Sequence, residues 1–469
     1  MYVLMPIVFG LGIIAIALED KIKINKSAIA LFMCIALWVM LASDAHYILV
    51  QKENPEFNSF IERTNIPKQT TKKHIADYIK NEAVIPNLGD VSQTLFFVMC
   101  TMLIVRIVDK HGGFRVITPY LKTSNKRRLL WNMSFASFFF SVLLDNLAAA
   151  ILLITILRKL VPDKTDRMKY ACMIVIAANA GGSWSPIGDV TTLLLWTGGN
   201  ITPLHQITHL ILPALMNLLV PLIIAHFWLF KRDAVLRQNS EITRDDEYIS
   251  HIPLQSRRII LIIGILSLAL VPVFQTLTGL PAFLCVMLGL VLLWGYTDLM
   301  YWRIHDIRDS NKLTISELSH SIDIPTIFFF LGILMTVAAL ETGGQLAQFA
   351  DFLSSKLKEP LLISTVIGGA SSVLDNVALV AATIGMYPLA NGAAVAADPS
   401  LHYFVTDGSF WTFLAYCGVT GGSLLIIGSA TGVTVMGMEK IGFMYYFKRF
   451  TPLALIGYLA GVATFLLIG

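Results

Sequence analysis

Long apolar windows, each nearly free of charge, alternate with short polar stretches along most of this chain. A hydrocarbon core of about 30 Å takes about 20 residues of helix to cross, so such windows predict transmembrane helices. About ten spans are predicted, near residues 2–18, 27–43, 92–108, 169–199, 207–230, 258–274, 280–297, 326–341, 410–437 and 450–468. Two further apolar runs, 129–157 and 361–390, are too long for one simple crossing. Each carries an Asp-Asn pair near its middle, Asp145-Asn146 and Asp375-Asn376. Each run reads as a re-entrant hairpin whose half-helices meet at that pair, because irregular backbone is tolerated at membrane depth where protein or water surrounds it. The fold class is an all-α polytopic membrane protein, with about ten transmembrane helices plus two re-entrant hairpins.

The pattern repeats. SVLLDN (141–146) is echoed by SSVLDN (371–376), and AGGSWSPIGDVT (180–191) by TGGSLLIIGSAT (420–431). Upstream, TLFFVMCTML (94–103) is echoed by TIFFFLGILM (326–335). The chain divides into N-terminal spans and an external segment (1–87), a first repeat (88–230), a linker with two spans (231–319) and a second repeat (320–469). The first repeat holds hairpin 129–157 and broken helix 169–199; the second holds hairpin 361–390 and broken helix 410–437. Five crossings separate the starts of the two repeats, an odd number, so the repeats are inverted. Inverted repeats with discontinuous helices place a transport site near the midplane, where the breaks meet.

Loop charge supports the hairpins, since basic residues gather in short cytoplasmic loops. Segment 109–130 carries Lys110, Arg115, Lys122, Lys126, Arg127 and Arg128, and 158–169 carries Arg158, Lys159, Lys164, Arg167 and Lys169. A hairpin between them returns the chain to the same side, as the charges require. Segment 391–409 has no Lys or Arg and falls outside, and both termini are predicted outside. Residues 44–91 carry mixed charge and read as an external loop or short amphipathic element. The N-terminal MYVLMPIVFGLG lacks a basic n-region, so it is expected to be a retained span, not a signal peptide.

Composition agrees. Apolar residues make up 55% of the chain and charged residues 14%, against about 25% charged in soluble proteins. Mean hydropathy is +0.69. The +4 net charge is spread over short loops, which excludes a nucleic-acid patch. The five cysteines lie in apolar segments without paired spacing and read as buried small hydrophobes, neither metal ligands nor disulfides.

Ionisable residues inside a membrane are costly and usually functional. Four breaks are expected to converge: Asp145-Asn146, Gly188-Asp189, Asp375-Asn376, and Gly428-Ser429 with Thr431. Broken helices expose unpaired carbonyls and N–H groups. With side-chain oxygens from these residues they form an all-oxygen environment suited to a hard cation, Na⁺ or Li⁺. A carboxylate there holds either a cation or a proton, and that exclusion is a minimal exchange mechanism. The competing readings are that Asp189 caps the half-helix 190–199 and that Asn179 is a satisfied core amide.

The chain resembles the NhaD-type sodium/proton antiporters in LLDN (143–146), ANAGGSWSPIGDVTT (178–192), SSVLDN (371–376) and GGSLLIIGSATG (421–432). These belong to an ion-transporter superfamily that also holds arsenite, citrate and dicarboxylate carriers. The resemblance implies that Asp145, Asn146, Asp189, Ser371, Asn376 and Asn179 handle cation and proton, with Asp145, Asp189 and Asn376 on the metal ion. It implies a non-enzymatic carrier without a cofactor, exporting cytoplasmic Na⁺ or Li⁺ against external H⁺, and a homodimer in the inner membrane. Ile426 stands where relatives often have Ser.

The closest rival is an organic-anion or arsenite carrier coupled to Na⁺ or H⁺ on the same fold. Two site carboxylates would repel an anion, and no Arg or Lys sits at the breaks. An intramembrane aspartyl protease is the remoter alternative. Its Gly-x-Gly-Asp motif is here Pro186-Ile187-Gly188-Asp189, and neither Asp145 nor Asp375 follows a Tyr.

Overall fold

Polar residues at the edges of the apolar windows decide where helices start. Asn25 accepts a hydrogen bond from the Ser27 N–H at the head of Lys26–Ser43, and Asn125 and Asp163 cap Lys126–Leu144 and Lys164–Ser183 in the same way. Such caps satisfy backbone donors that the first helical turn leaves open. The computed structural model describes residues 2–17, 19–51, 55–63, 72–121, 123–230, 252–303, 323–374 and 376–468.

Six helices among the described residues are long and apolar enough to cross a membrane: Lys26–Ser43, Lys72–Lys110, Pro203–Trp228, Ala282–Arg303, Ile324–Thr342 and Thr451–Ile468. Leu254–Ala269 and Val271–Thr278 add a span bent by 46°. The other three predicted spans are not single long helices. The first is the shorter Leu4–Ala17, and the other two are broken, as Lys164–Ser183 with Val190–Thr197 and as Ser409–Gly421 with Ala430–Glu439.

The segment 44–91, read as an external loop or short amphipathic element, is helical at Pro55–Arg63 and again from Lys72. Helix is continuous from Lys72 to Lys110, so the helix of the predicted span 92–108 begins 20 residues earlier than predicted, within a polar stretch. Pro86 cannot donate to a carbonyl one turn back. The wider π turn Ile79–Val84 lies just before it, where the Ile85 N–H bonds the Lys80 carbonyl, and the helix continues through the proline. Phe57, Phe60 and Tyr78 pack ring to ring beneath this segment, with centroids 5.1 to 6.3 Å apart.

Two compact units divide the chain. One comprises Met1–Leu95, Asp323–Ile363 and Val377–Phe404. Its core is the pair Lys26–Ser43 and Ile324–Thr342, where Trp38 Nε1 donates to the Met335 carbonyl at 2.9 Å. A Cβ on Gly332 would stand 2.6 Å from the Ala30 backbone, so glycine sets that approach.

The other unit comprises Phe96–Ile322, Ser364–Asn376 and Val405–Gly469. It contains both broken helices, the whole first hairpin (Lys126–Leu144 and Asn146–Leu160) and the tip between Pro360–Ala370 and Asn376–Met386. The same packing occurs twice within it. Ser141 Oγ donates to the Ala178 carbonyl at 2.6 Å, and Ser371 Oγ donates to the Gly418 carbonyl at 2.7 Å. A Cβ on Gly181 would overlap the Phe138 carbonyl, and one on Gly421 would overlap the Gly368 carbonyl. Each hairpin arm thus lies backbone to backbone on the first half of a broken helix, pinned by one serine hydroxyl. Ser141→Ala is expected to cost about 1 kcal/mol, the net worth of one buried hydrogen bond. Melting of the detergent-solubilised protein, lowered by a few degrees, checks this.

Candidate functional site

The Gly188-Asp189 break places a carboxylate deep in the second unit. Asp189 is 4% exposed and caps Val190–Thr197 from extended backbone. Its Oδ1 accepts from the Thr191 N–H and from Thr191 Oγ1, both at 2.8 Å. Its Oδ2 accepts from Asn146 Nδ2 and, at 3.3 Å, from Asn376 Nδ2. Amides from both hairpin tips therefore meet on one carboxylate. The capping role and the convergence of the breaks coexist at this residue.

Behind these contacts lies a second layer. Asn179 is fully buried on Lys164–Ser183; its Oδ1 accepts from Asn146 Nδ2 at 3.1 Å. Its Nδ2 donates to Ser429 Oγ at 3.2 Å. Ser429 caps Ala430–Glu439 and also accepts from the Gly432 N–H at 3.1 Å. Asp189, Asn146, Asn376, Asn179 and Ser429 form one hydrogen-bonded chain joining all four broken segments. Three primary amides face a carboxylate and a hydroxyl, groups that can offer oxygen to a hard cation once the amides turn.

The break glycines permit that closeness. A Cβ on Gly188 would stand 2.8 Å from Gly182 Cα and 3.0 Å from the Ser141 carbonyl. On Gly428 it would stand 2.5 Å from the Ser372 carbonyl and 2.7 Å from that of Ser371. The Gly188 carbonyl also receives the Asn146 N–H at 3.0 Å, which ties hairpin tip to helix break.

Other predicted residues stand apart from this chain of bonds. Asp145 caps Asn146–Leu160, its Oδ1 accepting from the Ala148 N–H at 2.7 Å, with φ 66° and ψ 161°. Ser371 gives its hydroxyl to the Gly418 carbonyl and so pins the hairpin without turning to Asp189. Thr431 is fully buried, yet its Oγ1 has no hydrogen-bond partner among the described residues. Asp375 lies outside the described residues.

Two residues escaped sequence reasoning. Thr191 holds Asp189 by main chain and side chain, whereas its echo Thr431 drew attention. Ser141 is the first-repeat counterpart of Ser371. Both were readable by carrying each chosen residue across to the other repeat.

Residues 11–406 match a protein-family model described as citrate transporter. "Sodium/proton antiporter 1" of Arabidopsis thaliana is 36% identical, over 99% of this chain and 72% of the relative. "Sodium/proton antiporter 2" of the same plant is 34% identical, over 98% of each chain. "Na(+)/H(+) antiporter NhaD" of Vibrio cholerae is 26% identical, over 98% of this chain and 91% of the relative. Among solved structures, the YdaH transporter of Alcanivorax borkumensis superposes with a TM-score of 0.52, covering 81% of this chain and 86% of that one. At 12% identity that likeness shows the fold alone.

Proposed function

The chain belongs to the citrate-transporter family, among its sodium/proton antiporters, and from that premise we propose that Asp189 carries Na⁺ and H⁺ in alternation. The observation that carries this reading is the pair of amides, Asn146 and Asn376, that reach one buried carboxylate from the two hairpin tips. In the geometry described, both present N–H to Asp189, which suits an ionised carboxylate. Half a turn about the terminal side-chain bond presents their carbonyl oxygens instead, and with Asp189 and Ser429 these make a neutral-plus-anionic oxygen shell. A proton on Asp189 removes its charge and with it the main attraction for the cation, so the two ligands exclude each other.

A small hard cation suits this shell, so Li⁺ is a second substrate and K⁺ a poor one. Asp145 is the second carboxylate of the exchange, standing one residue before Asn146. The direction is cytoplasmic Na⁺ or Li⁺ outward against external H⁺ inward, in an inner membrane with both termini outside, as a homodimer. The family description favours a second reading, a citrate-like carboxylate as cargo. Two ionisable Asp residues at the breaks oppose an anion there.

Everted vesicles from cells lacking other antiporters test both readings. Addition of NaCl or LiCl collapses a respiration-driven proton gradient, and KCl does not. If neither salt acts while labelled citrate accumulates, the second reading replaces the first.

A further inference from the structure

Far from the amide cluster, a second carboxylate is wholly withdrawn from solvent. Glu439 ends the half-helix Ala430–Glu439, and its side chain is 0% exposed. Arg158 Nε donates to its Oε1 and Arg167 Nε to its Oε2, each at 2.6 Å. Arg158 also gives Nη2 to the Met438 carbonyl, while Arg167 Nη1 reaches the Val161 and Pro162 carbonyls at 3.2 Å. Arg158 closes the outgoing arm of the first hairpin, and Arg167 lies in the opening turn of Lys164–Ser183. One carboxylate of the second repeat therefore clasps two elements of the first.

Its position gives this clasp a bearing on the site. Ala430–Glu439 has ten residues, about 15 Å of helix. At its head, Ser429 accepts from Asn179 of the first repeat; at its foot, Glu439 takes Arg158 and Arg167. Lys164–Ser183 therefore grips the half-helix at both ends, and Asn146–Leu160 joins it at the foot through Arg158. The opposite half-helix, Val190–Thr197, is followed by a different clasp. There Asp407 accepts from the Thr202 N–H at 2.6 Å and Thr202 Oγ1 at 2.9 Å, and donates its own N–H to the Asn200 carbonyl at 2.9 Å. Charge meets charge at the Glu439 end, and charge meets neutral donors at the Asp407 end.

We infer that Glu439 is a positioning residue for cation binding, an inference that rests on the proposed exchange. The clasp sets the register of the half-helix along Lys164–Ser183 and so the distance of Ser429 from Asn179. A buried carboxylate with two guanidinium partners has a steep, directional energy well, because moving it uncovers three charges at once. Loosened, the half-helix slides and the oxygen shell forms less often, so affinity for Na⁺ falls while the transport step survives.

Exchange by wild-type protein in proteoliposomes is measured first; without Na⁺-driven proton movement the proposed function itself fails. With it established, Glu439→Gln is expected to raise the KM for Na⁺ about tenfold while the maximal rate stays within about twofold. Its melting temperature stays within a few degrees of wild type, because Arg158 is 44% exposed and can resolvate, and Arg167, 19% exposed, keeps the Val161 and Pro162 carbonyls. Glu439→Asp recovers part of the KM. Arg158→Lys, which keeps charge but loses the fork, raises KM about threefold and serves if the Gln variant fails to accumulate. An unchanged KM in Arg158→Lys, or a parallel fall of KM-corrected rate, maximal rate and melting temperature in Glu439→Gln, overturns the inference.

Discussion

Asp189→Asn is expected to abolish exchange at every pH while leaving the fold in place. The loss should reach about a hundredfold or more, which corresponds to about 2.7 kcal/mol at 1.36 kcal/mol per decade. The reason lies in what each oxygen of Asp189 accepts. Oδ1 is held by the Thr191 N–H and hydroxyl, the first of which is backbone and cannot turn away. The new NH₂ therefore takes the Oδ2 position, where it meets the Asn146 and Asn376 amides. Those side chains can rotate to offer oxygen, so the polar network closes again at a cost of about 1 kcal/mol. What cannot be recovered is the charge: an amide neither binds a proton in this range nor neutralises a cation. Asp189→Ser, which copies Ser429 of the second repeat, keeps a cap and loses the charge, and should be equally inactive. Proton flux in everted vesicles, with membrane abundance measured alongside, reads both. Exchange in either variant near the wild-type rate would reduce Asp189 to a helix cap.

The breaks were legible because each leaves a mark in local chemistry. An Asp-Asn pair inside an apolar run, or a Gly-Gly-Ser followed by Gly-Asp or Gly-Ser, has no place in a plain spanning helix, and the doubling of each mark removed coincidence. Which of the marked side chains would meet was not legible. Asp145 and Asn146 are neighbours in sequence, yet only Asn146 turns to Asp189, since Asp145 spends its carboxylate on the Ala148 N–H. Thr191 and Thr431 are twins by repeat, but Thr191 has an Asp two residues before it to bond, and Thr431 has Ser429, whose hydroxyl already receives Gly432 and Asn179. The Glu439 clasp left no mark at all. Arg158 and Arg167 read only as basic charges of segment 158–169, Glu439 lies beyond the predicted broken helix 410–437, and their pairing joins positions 281 and 272 residues apart. The early start of the helix Lys72–Lys110 was hidden by its charges, which hydropathy scores as loop although they are good helix formers.

Asp145→Gly should raise stability and remove exchange in the same protein. Asp145 sits at φ 66° and ψ 161°, a region that glycine adopts freely and other residues adopt under strain of about 1–3 kcal/mol. The strain has a visible cause. With this backbone the chain ends one half-helix, begins the next, and sends the Asn146 N–H to the Gly188 carbonyl. Glycine meets the same demand unstrained. Its losses are the cap to Ala148, a few tenths of a kcal/mol when glycine is the replacement, and about 0.5–1 kcal/mol of extra chain entropy. The balance favours the variant by about 1 kcal/mol at the middle of the strain range. Asp145→Ala, which keeps the strain and discards the cap, should melt lower than both. If Asp145 served only as a hinge and cap, the glycine variant would exchange ions at least as fast as wild type. A protein that melts higher and exchanges at least about tenfold slower would mean that the strained aspartate is retained for its carboxylate. Comparing melting temperature and initial exchange rate across Asp145, Gly and Ala separates these outcomes, because backbone relief and loss of charge move the two readouts in opposite directions.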